Sequence, residues 1–305
     1  MIQMKVMMME KLKVNLDYQS DESILLEMRK AYDNCPTAIK FCKDRGIPDE
    51  VINNDITKVY DFVSDLNYCK NCPGVKKCAK NNPLLCTNLV YTYGILERQL
   101  VPCKKIIARI KYERLFEVRD FPEEWLDISI KQDVNISKQR KEAVLKYNEG
   151  IKTGKNTWIY LVGRKNSGRS YLAAAMVVDA AKKERGPICF LDSSLRIREL
   201  NDMSLKRKEE FQATLDHYSN VPILVFDDFG NEYKTDFIRD AIIFQIISNR
   251  ASKKLLTIFT SDFTIEEIKE LYSTSKAGAL RAKQIANIIK DNAIEENDLG
   301  DIAIY

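Results

Sequence analysis

"YLVGRKNSGRSYLAAA", residues 160–175, is the stretch on which the fold turns. An apolar run stops at Gly163, Gly168 follows five residues later, and Arg169–Ser170 opens an alanine-rich helical stretch. The spacing is that of a phosphate-binding loop, G-x-x-x-x-G-K-[ST], with Arg169 in the lysine slot. Such a loop needs glycine so that backbone amides can approach phosphate oxygens, and the helix start that follows supplies positive potential. The cradle assigned to it comprises Gly163, Asn166, Ser167, Gly168, Arg169, Ser170 and Tyr171, with the Ser170 hydroxyl on Mg²⁺.

Outward from the loop, "TWIYLV" (157–162), "PICFLD" (187–192), "PILVFDD" (222–228) and "LLTIFTSD" (255–262) are short continuous apolar runs. Helical stretches at 170–183, 194–216 and 235–250 separate them. Strands that are apolar throughout are buried on both faces, so the pattern predicts an α/β fold with a parallel sheet between helical layers. "PILVFDD" ends in two acids, which suits Asp227 to the Mg²⁺ shell and Asp228 to orienting an attacking water.

The N-terminal third has a different texture. Residues 51–66 place Ile52, Ile56, Val59, Val63 and Leu66 on one helical face, and 21–32 reads as another helix. "NLVYTYG" (88–94) reads as a strand. Five of the chain's 8 cysteines, Cys69, Cys72, Cys78, Cys86 and Cys103, crowd into this region. Cys69-x₂-Cys72, followed by Pro73–Gly74, is a ligand-pair spacing for structural zinc, and Cys78, Cys86 and Cys103 offer sulfurs for the two remaining positions. Spacing does not choose between Cys78 and Cys86. Residues 106–135 lack a consistent period and read as a linker, which divides the chain into 1–105, 106–135 and 136–305. The last fifteen residues, with five acids and no base, read as a loosely held tail.

At 305 residues, 45% hydrophobic and 30% charged, the composition is that of a folded rather than a disordered chain. The net charge of +4 does not demand a nucleic-acid partner, although Lys206–Arg207–Lys208 could contact one. "MIQMKVMMME" is broken by Lys5 and Glu10, and no apolar run approaches membrane-spanning length, so a cytoplasmic location with no membrane is expected. His217 is the only histidine and reads as structural or solvated.

"YLVGRKNSGRSYLAAA", "PILVFDDFGNE", "LLTIFTSDF" and "RAKQIANIIK" occur in the order and spacing of the AAA+ domain of bacterial replicative-helicase loaders. Over roughly residues 50–295 the chain resembles the primosomal DnaI branch of the DnaI/DnaC family, and "CKNCPGVKKC…PC" is similar to that branch's zinc-bearing, helicase-interacting domain. The resemblance implies an AAA+ P-loop domain preceded by a small, mostly helical zinc domain, with ATP and Mg²⁺ as ligands. It also implies the replicative helicase as partner, single-stranded DNA contact during loading, and assembly of copies on the helicase ring. Cys69, Cys72 and Cys103 match the family's zinc pattern.

The chain departs from the family at the active site. Arg169 replaces the loop lysine, Asp262 stands where the family has asparagine, and Gln284 and Ile288 stand where it has two arginines. Arginine is a larger planar fork than a lysine ammonium, and losing an arginine finger typically costs about 10³–10⁵ in rate. The expectation is a retained cradle with slow or absent hydrolysis: a helicase loader of replication initiation and restart, or alternatively a non-hydrolysing helicase-binding adaptor. The transposition-associated ATPase relatives share the AAA+ motifs but give no reason for the cysteine segment.

Overall fold

The computed structural model describes residues 21–80, 82–130, 138–153 and 158–300. The methionine-rich N-terminus, Thr157, the last part of the expected linker and the final five residues of the acidic tail lie outside the described residues. The chain divides into two compact units, Met1–Ala108 and Arg109–Tyr305.

In the first unit, helices α1 (Asp21–Asp33), α2 (Pro36–Asp44), α3 (Asp49–Asn54) and α4 (Ile56–Lys70) precede an antiparallel hairpin of β1 (Leu85–Thr92) and β2 (Ile95–Pro102). The three- and four-residue steps read from the sequence become the inner face of α4, where Ile56, Val59 and Val63 are buried with Phe62. They pack with Tyr32, Ala38, Ile52 and the hairpin residues Leu89 and Leu96. Cys35 and Cys42 sit in this core, where a thiol behaves as a small apolar side chain.

The chain continues through α5 (Lys104–Glu113) into the second unit, which contains β3 (Phe116–Arg119), α6 (Lys138–Thr153), β4 (Trp158–Val162) and α7 (Arg169–Lys182). Then come β5 (Ile188–Asp192), α8 (Ser193–Lys206), α9 (Lys208–Asn220), β6 (Ile223–Asp227) and a π-helical segment (Ile238–Ile243) that runs into α10 (Phe244–Lys253). The unit closes with β7 (Leu256–Ser261), α11 (Ile265–Leu271), α12 (Lys276–Asn292) and β8 (Ala293–Asp298). Six strands form one parallel sheet in the order β3-β5-β6-β7-β4-β8.

The sheet explains the unbroken apolar runs. Trp158 and Tyr160 of β4 enter one hydrophobic core and Ile159 and Leu161 the other, so the pleat's alternation is invisible when both faces are covered. Two sequence readings are corrected here. Residues 106–135, expected as a linker, supply α5 and the edge strand β3, whose Phe116–Arg119 pairs with β5. The acidic tail, expected to be loosely held, supplies β8, which lies parallel to β4 with Leu299 N donating to Val162 O at 2.8 Å. An edge strand has one unpaired flank and tolerates polar residues, so neither segment carries the apolar signal of a central strand. Among the described residues no helix is long and apolar enough to cross a membrane.

Arg250 on α10 is wholly buried and among the described residues meets no carboxylate. Its Nε donates to Thr257 Oγ1 at 2.9 Å, Nη1 to the carbonyls of Tyr218 at 2.9 Å and Val221 at 2.8 Å, and Nη2 to that of Leu256 at 2.6 Å. Burial pulls its pKa down to about 9. The guanidinium thus ties the end of α9 and the start of β7 to α10. Arg250→Met should leave these carbonyls unpaired and cost about 3 kcal/mol, measured by urea unfolding of the full chain, with Arg250→Lys recovering less than half. A loss below about 1 kcal/mol would show that the surrounding backbone finds other donors.

Candidate functional site

Because β7 lies between β4 and β6, the C-terminal ends of three adjacent strands open onto one place. The loop after β4 brings Gly163–Ser170, the end of β7 brings Asp262, and the end of β6 brings Asp227 and Asp228. The loop turns tightly: Gly163 N donates to Ser261 O at 3.2 Å and Ser167 N to Arg164 O at 3.0 Å. A Cβ on Gly163 would lie 2.7 Å from Ser167 Oγ, so the position excludes a side chain. Gly168, with φ +77°, is the N-cap of α7, where left-handed backbone favours glycine. Ser167 is buried, and among the described residues its hydroxyl has no hydrogen-bond partner.

Asp227 lies under the loop. Thr260 Oγ1 donates to its Oδ1 at 2.5 Å, and Ser170 also hydrogen-bonds to it. Burial pushes the Asp227 carboxyl up to about 6, against the pull of those two hydroxyls. Its neighbour Asp228 adopts a left-handed backbone, φ +55°, with its amide donating to Thr260 Oγ1 at 3.0 Å.

Arg169 is the centre of the site and is only 4% exposed. Its Nη2 donates to Asp228 Oδ1 at 2.5 Å and its Nη1 to Asp262 Oδ1 at 2.5 Å, with a further bond from Nη1 to Gly163 O. Asn231 Nδ2 donates to the other oxygen of Asp262 at 3.0 Å. For Arg169, burial is the largest single influence and opposes the charge, but the hydrogen bonds it donates to Asp262 and Asp228, with their charges, outweigh it and the net pKa is raised. The Asp262 carboxyl is likewise held below its ordinary range: burial pushes up, and Arg169 and Asn231 together push down harder. Read separately, Arg169 and Asp262 are two departures from the family. In the structure they form one ion pair, an arginine in the lysine slot answered by a carboxylate in the asparagine slot.

The other sequence-selected residues fall as follows. Asn166 has a left-handed φ of +68° within the loop. Tyr171 lies edge-on to Trp125, ring centroids 5.4 Å apart, and packs against the sheet's second core. Gln284 accepts from Arg281 at 2.9 Å, and Ile288 packs against the first core. In the first unit, Cys69 and Cys86 bring their sulfurs to 3.9 Å, and Lys80 Nζ lies 3.4 Å from Cys86 Sγ. Backbone amides of Leu84 and Lys80 bond Cys78 and lower its pKa, and Ile106 N donates to Cys103 Sγ at 3.3 Å. Among the described residues no third cysteine sulfur joins Cys69 and Cys86 at metal-ligand range.

Three residues that shape the site escaped the sequence reading. Arg140 on α6, wholly buried, donates to Ser167 O and pins the loop from behind. Thr260 and Asn231 hold the acids. Arg140 reads as one more surface charge in "KQRKEAVLK", and only tertiary packing distinguishes it.

The chain is 25% identical over 260 residues to the replicative helicase loader DnaI of Bacillus subtilis (strain 168), covering 80% of each chain. A crystal structure of DnaI superposes with a TM-score of 0.54 at 24% identity, over 64% of this chain and 100% of that one. A candidate primosome component from Streptococcus pyogenes serotype M3 superposes at 0.50 and 21%, over 64% of this chain and 98% of that one. These two likenesses speak to the fold. Residues 109–280, more than half of the chain, match the family described as IstB-like ATP binding protein, and they span the loop, both acids of β6 and Asp262. With the phosphate loop, the paired acids and the parallel sheet in place, the chain belongs to the family of IstB-like ATP binding proteins.

Proposed function

We propose that this chain is a replicative-helicase loader, delivering the helicase onto single-stranded DNA in replication initiation and restart. In this reading residues 1–105 form the helicase-interaction domain, 106–135 lead into the nucleotide domain, and 136–305 carry the ATP site. One observation carries the reading. The 260 residues aligned with the curated helicase loader exceed the whole of the second unit, Arg109–Tyr305, so the likeness extends into the cysteine-bearing unit as well as the phosphate loop.

The loop fits a bound nucleotide. A Cβ at Gly163 would fill the cradle, and the Ser167 hydroxyl is buried without a partner among the described residues. Gly163, Asn166, Ser167 and Gly168 would hold phosphates of ATP, and Ser170 with Asp227 would hold Mg²⁺. Mg·ATP, when bound, would supply the phosphate charge that this cradle is built to meet. Everything else falls to the chain's own groups. Arg169, held by two charge-assisted bonds, can turn toward a phosphate only by leaving Asp228 and Asp262. The same movement frees Asp228 to orient a water. Phosphate capture and release of the general-base position are thereby one event, and the idle site is kept closed.

The five cysteines fit zinc by donor chemistry. Around tetrahedral zinc two sulfurs lie about 3.8 Å apart, matched by Cys69 and Cys86 at 3.9 Å. Cys69, Cys72, Cys103 and one of Cys78 and Cys86 would complete the set, and the Cys69–Cys86 approach supports Cys86. Lys206–Arg207–Lys208, exposed between α8 and α9, is the stretch best placed for single-stranded DNA, and assembly of several copies on the helicase ring would line these stretches up.

Co-sedimentation with the replicative helicase and delivery of that helicase onto circular single-stranded DNA test the function. Delivery that depends on Mg·ATP supports it, and failure to bind the helicase overturns it. A calorimetric titration tests the clamp. Asp262→Asn removes one of the two carboxylates competing for Arg169 and should tighten Mg·ATP by about tenfold, about 1.4 kcal/mol, while Arg169→Ala abolishes binding. An unchanged affinity in Asp262→Asn would mean that the clamp does not compete with phosphate.

Asp227 gives a pH signature. Its folded pKa of about 6 exceeds the ordinary 3.8, so folding favours the protonated form between those values. The ionised carboxylate therefore costs stability above about 6, yet Mg²⁺ requires it. The gain in nucleotide affinity from adding Mg²⁺ should rise as pH increases through about 6, and less steeply in Asp227→Asn, where only the phosphate's own ionisation remains. A gain already complete at pH 5 would exclude Asp227 as a Mg²⁺ ligand.

A further inference from the structure

At the opposite end of the sheet from the phosphate loop, three side chains from three elements converge. Glu117 is the second residue of β3, Cys189 the second of β5, and His217 lies in the last turn of α9. Their donor atoms all lie within 4.8 Å of one another, and among the described residues this is the one such group of three. His217 Nε2 is 3.4 Å from Cys189 Sγ and 3.0 Å from Glu117 Oε2.

Two of the three groups compete for one atom of the third. Both the sulfur and the carboxylate approach the same ring nitrogen, which has a single in-plane position holding either a proton or a lone pair. If Nε2 carries the proton and donates it to Glu117, the sulfur keeps the backbone amide of Val118 but gains at most a shared, weakened contact from the ring. If Nε2 accepts from the thiol, the carboxylate oxygen faces a lone pair with no proton between them. One cation at the common point resolves both conflicts, because all three atoms can then direct lone pairs at it. The distances suit that arrangement. Around a tetrahedral zinc ion, bonds of about 2.3 Å to sulfur and about 2.0 Å to nitrogen and oxygen separate S from N by about 3.5 Å and N from O by about 3.3 Å.

The backbone contributes as well. Phe116 is in register with Ile188 and Val118 with Cys189, so the pairing shifts by one residue at Glu117. Phe116 packs against the core that holds Ile188, and Val118 against the core that holds Cys189. Glu117 is the extra residue of this shift, and irregularities of that kind re-aim side chains. Here the re-aimed carboxylate meets Cys189 and His217. Cys189 is fully buried, whereas the side chains of His217 and Glu117 are each 42% exposed. The site is therefore anchored inside and open to solvent on one side.

We propose that Glu117 Oε2, Cys189 Sγ and His217 Nε2 form a binding site for a divalent zinc-class cation, with the fourth position open to water. One thiolate, one imidazole and one carboxylate form a mixed set that suits borderline-soft zinc better than Mg²⁺ or Ca²⁺. The bound ion pins the edge strand β3 and the end of α9 to β5, independently of the N-terminal cysteines.

The test is metal content and Co²⁺ spectroscopy on the full chain, loaded with Zn²⁺ or Co²⁺ and passed through a desalting column. Variants are His217→Gln, Cys189→Ser and Glu117→Gln, with Cys69→Ser/Cys72→Ser to remove the other sulfur-rich region from the count. In the double-serine background we expect one Zn²⁺ retained per chain and a Co²⁺–thiolate absorption band. Both should disappear in Cys189→Ser, and Zn²⁺ should bind at least about tenfold more weakly in His217→Gln and Glu117→Gln. His217 and Glu117 are half-exposed, so these two variants keep the fold, which a thermal melt verifies. Equal Zn²⁺ retention across the three variants, or no retained Zn²⁺ in the double-serine background, overturns the proposal.

Discussion

A guanidinium taken out of water needs its donors answered: carbonyls and a hydroxyl suffice at Arg250, whereas the phosphate-loop site is arranged around two carboxylates that answer Arg169. Leaving one partner of a buried pair alone typically costs about 3–5 kcal/mol. The arginine in the loop's lysine slot has two such partners, Asp262 and Asp228, each at 2.5 Å. Asparagine in place of Asp262 would offer a carbonyl oxygen and leave Asp228 as the countercharge. The loop itself rests on the same logic, since Ser167 O accepts from buried Arg140 and Gly163 O from Arg169. Two guanidiniums from different helices set the backbone of the cradle.

Strand order makes this answer available. With β7 inserted between β4 and β6, the residue after β7 stands midway between the loop and the acids of β6. A side chain at position 262 can therefore reach Arg169 while Asn231, beyond β6, holds its second oxygen. Asp227 and Asp228, adjacent in sequence, part company here: one is held by two hydroxyls with its pKa pushed up, and the other faces the guanidinium with a left-handed backbone.

The central sheet was legible in the sequence because strands covered on both faces leave unbroken apolar runs at β4, β5, β6 and β7. The loop and the paired acids were legible because a phosphate cradle constrains residue type and spacing locally. What escaped was non-local or edge-bound. "FEVR" and "AIEEND" lack a strand's apolar signature because an edge needs none. The Arg169–Asp262 pair spans 93 residues, and nothing in either stretch announces the other. Glu117, Cys189 and His217 come from separate elements, and a lone histidine in "TLDHYSN" reads as ordinary until the fold supplies its neighbours.

The pairing of β8 with β4 also fixes an order of events on the ribosome. β8 is synthesised after every other strand of the sheet, yet it covers the flank of the strand that leads into the phosphate loop. Until Ala293–Asp298 leave the exit tunnel, β4 has an open edge, and Val162 O, next to Gly163, lacks the amide of Leu299. The nucleotide site is thus completed only after the last strand of its own sheet has been made, and a chain that stalls before residue 293 carries the motif without its finished support.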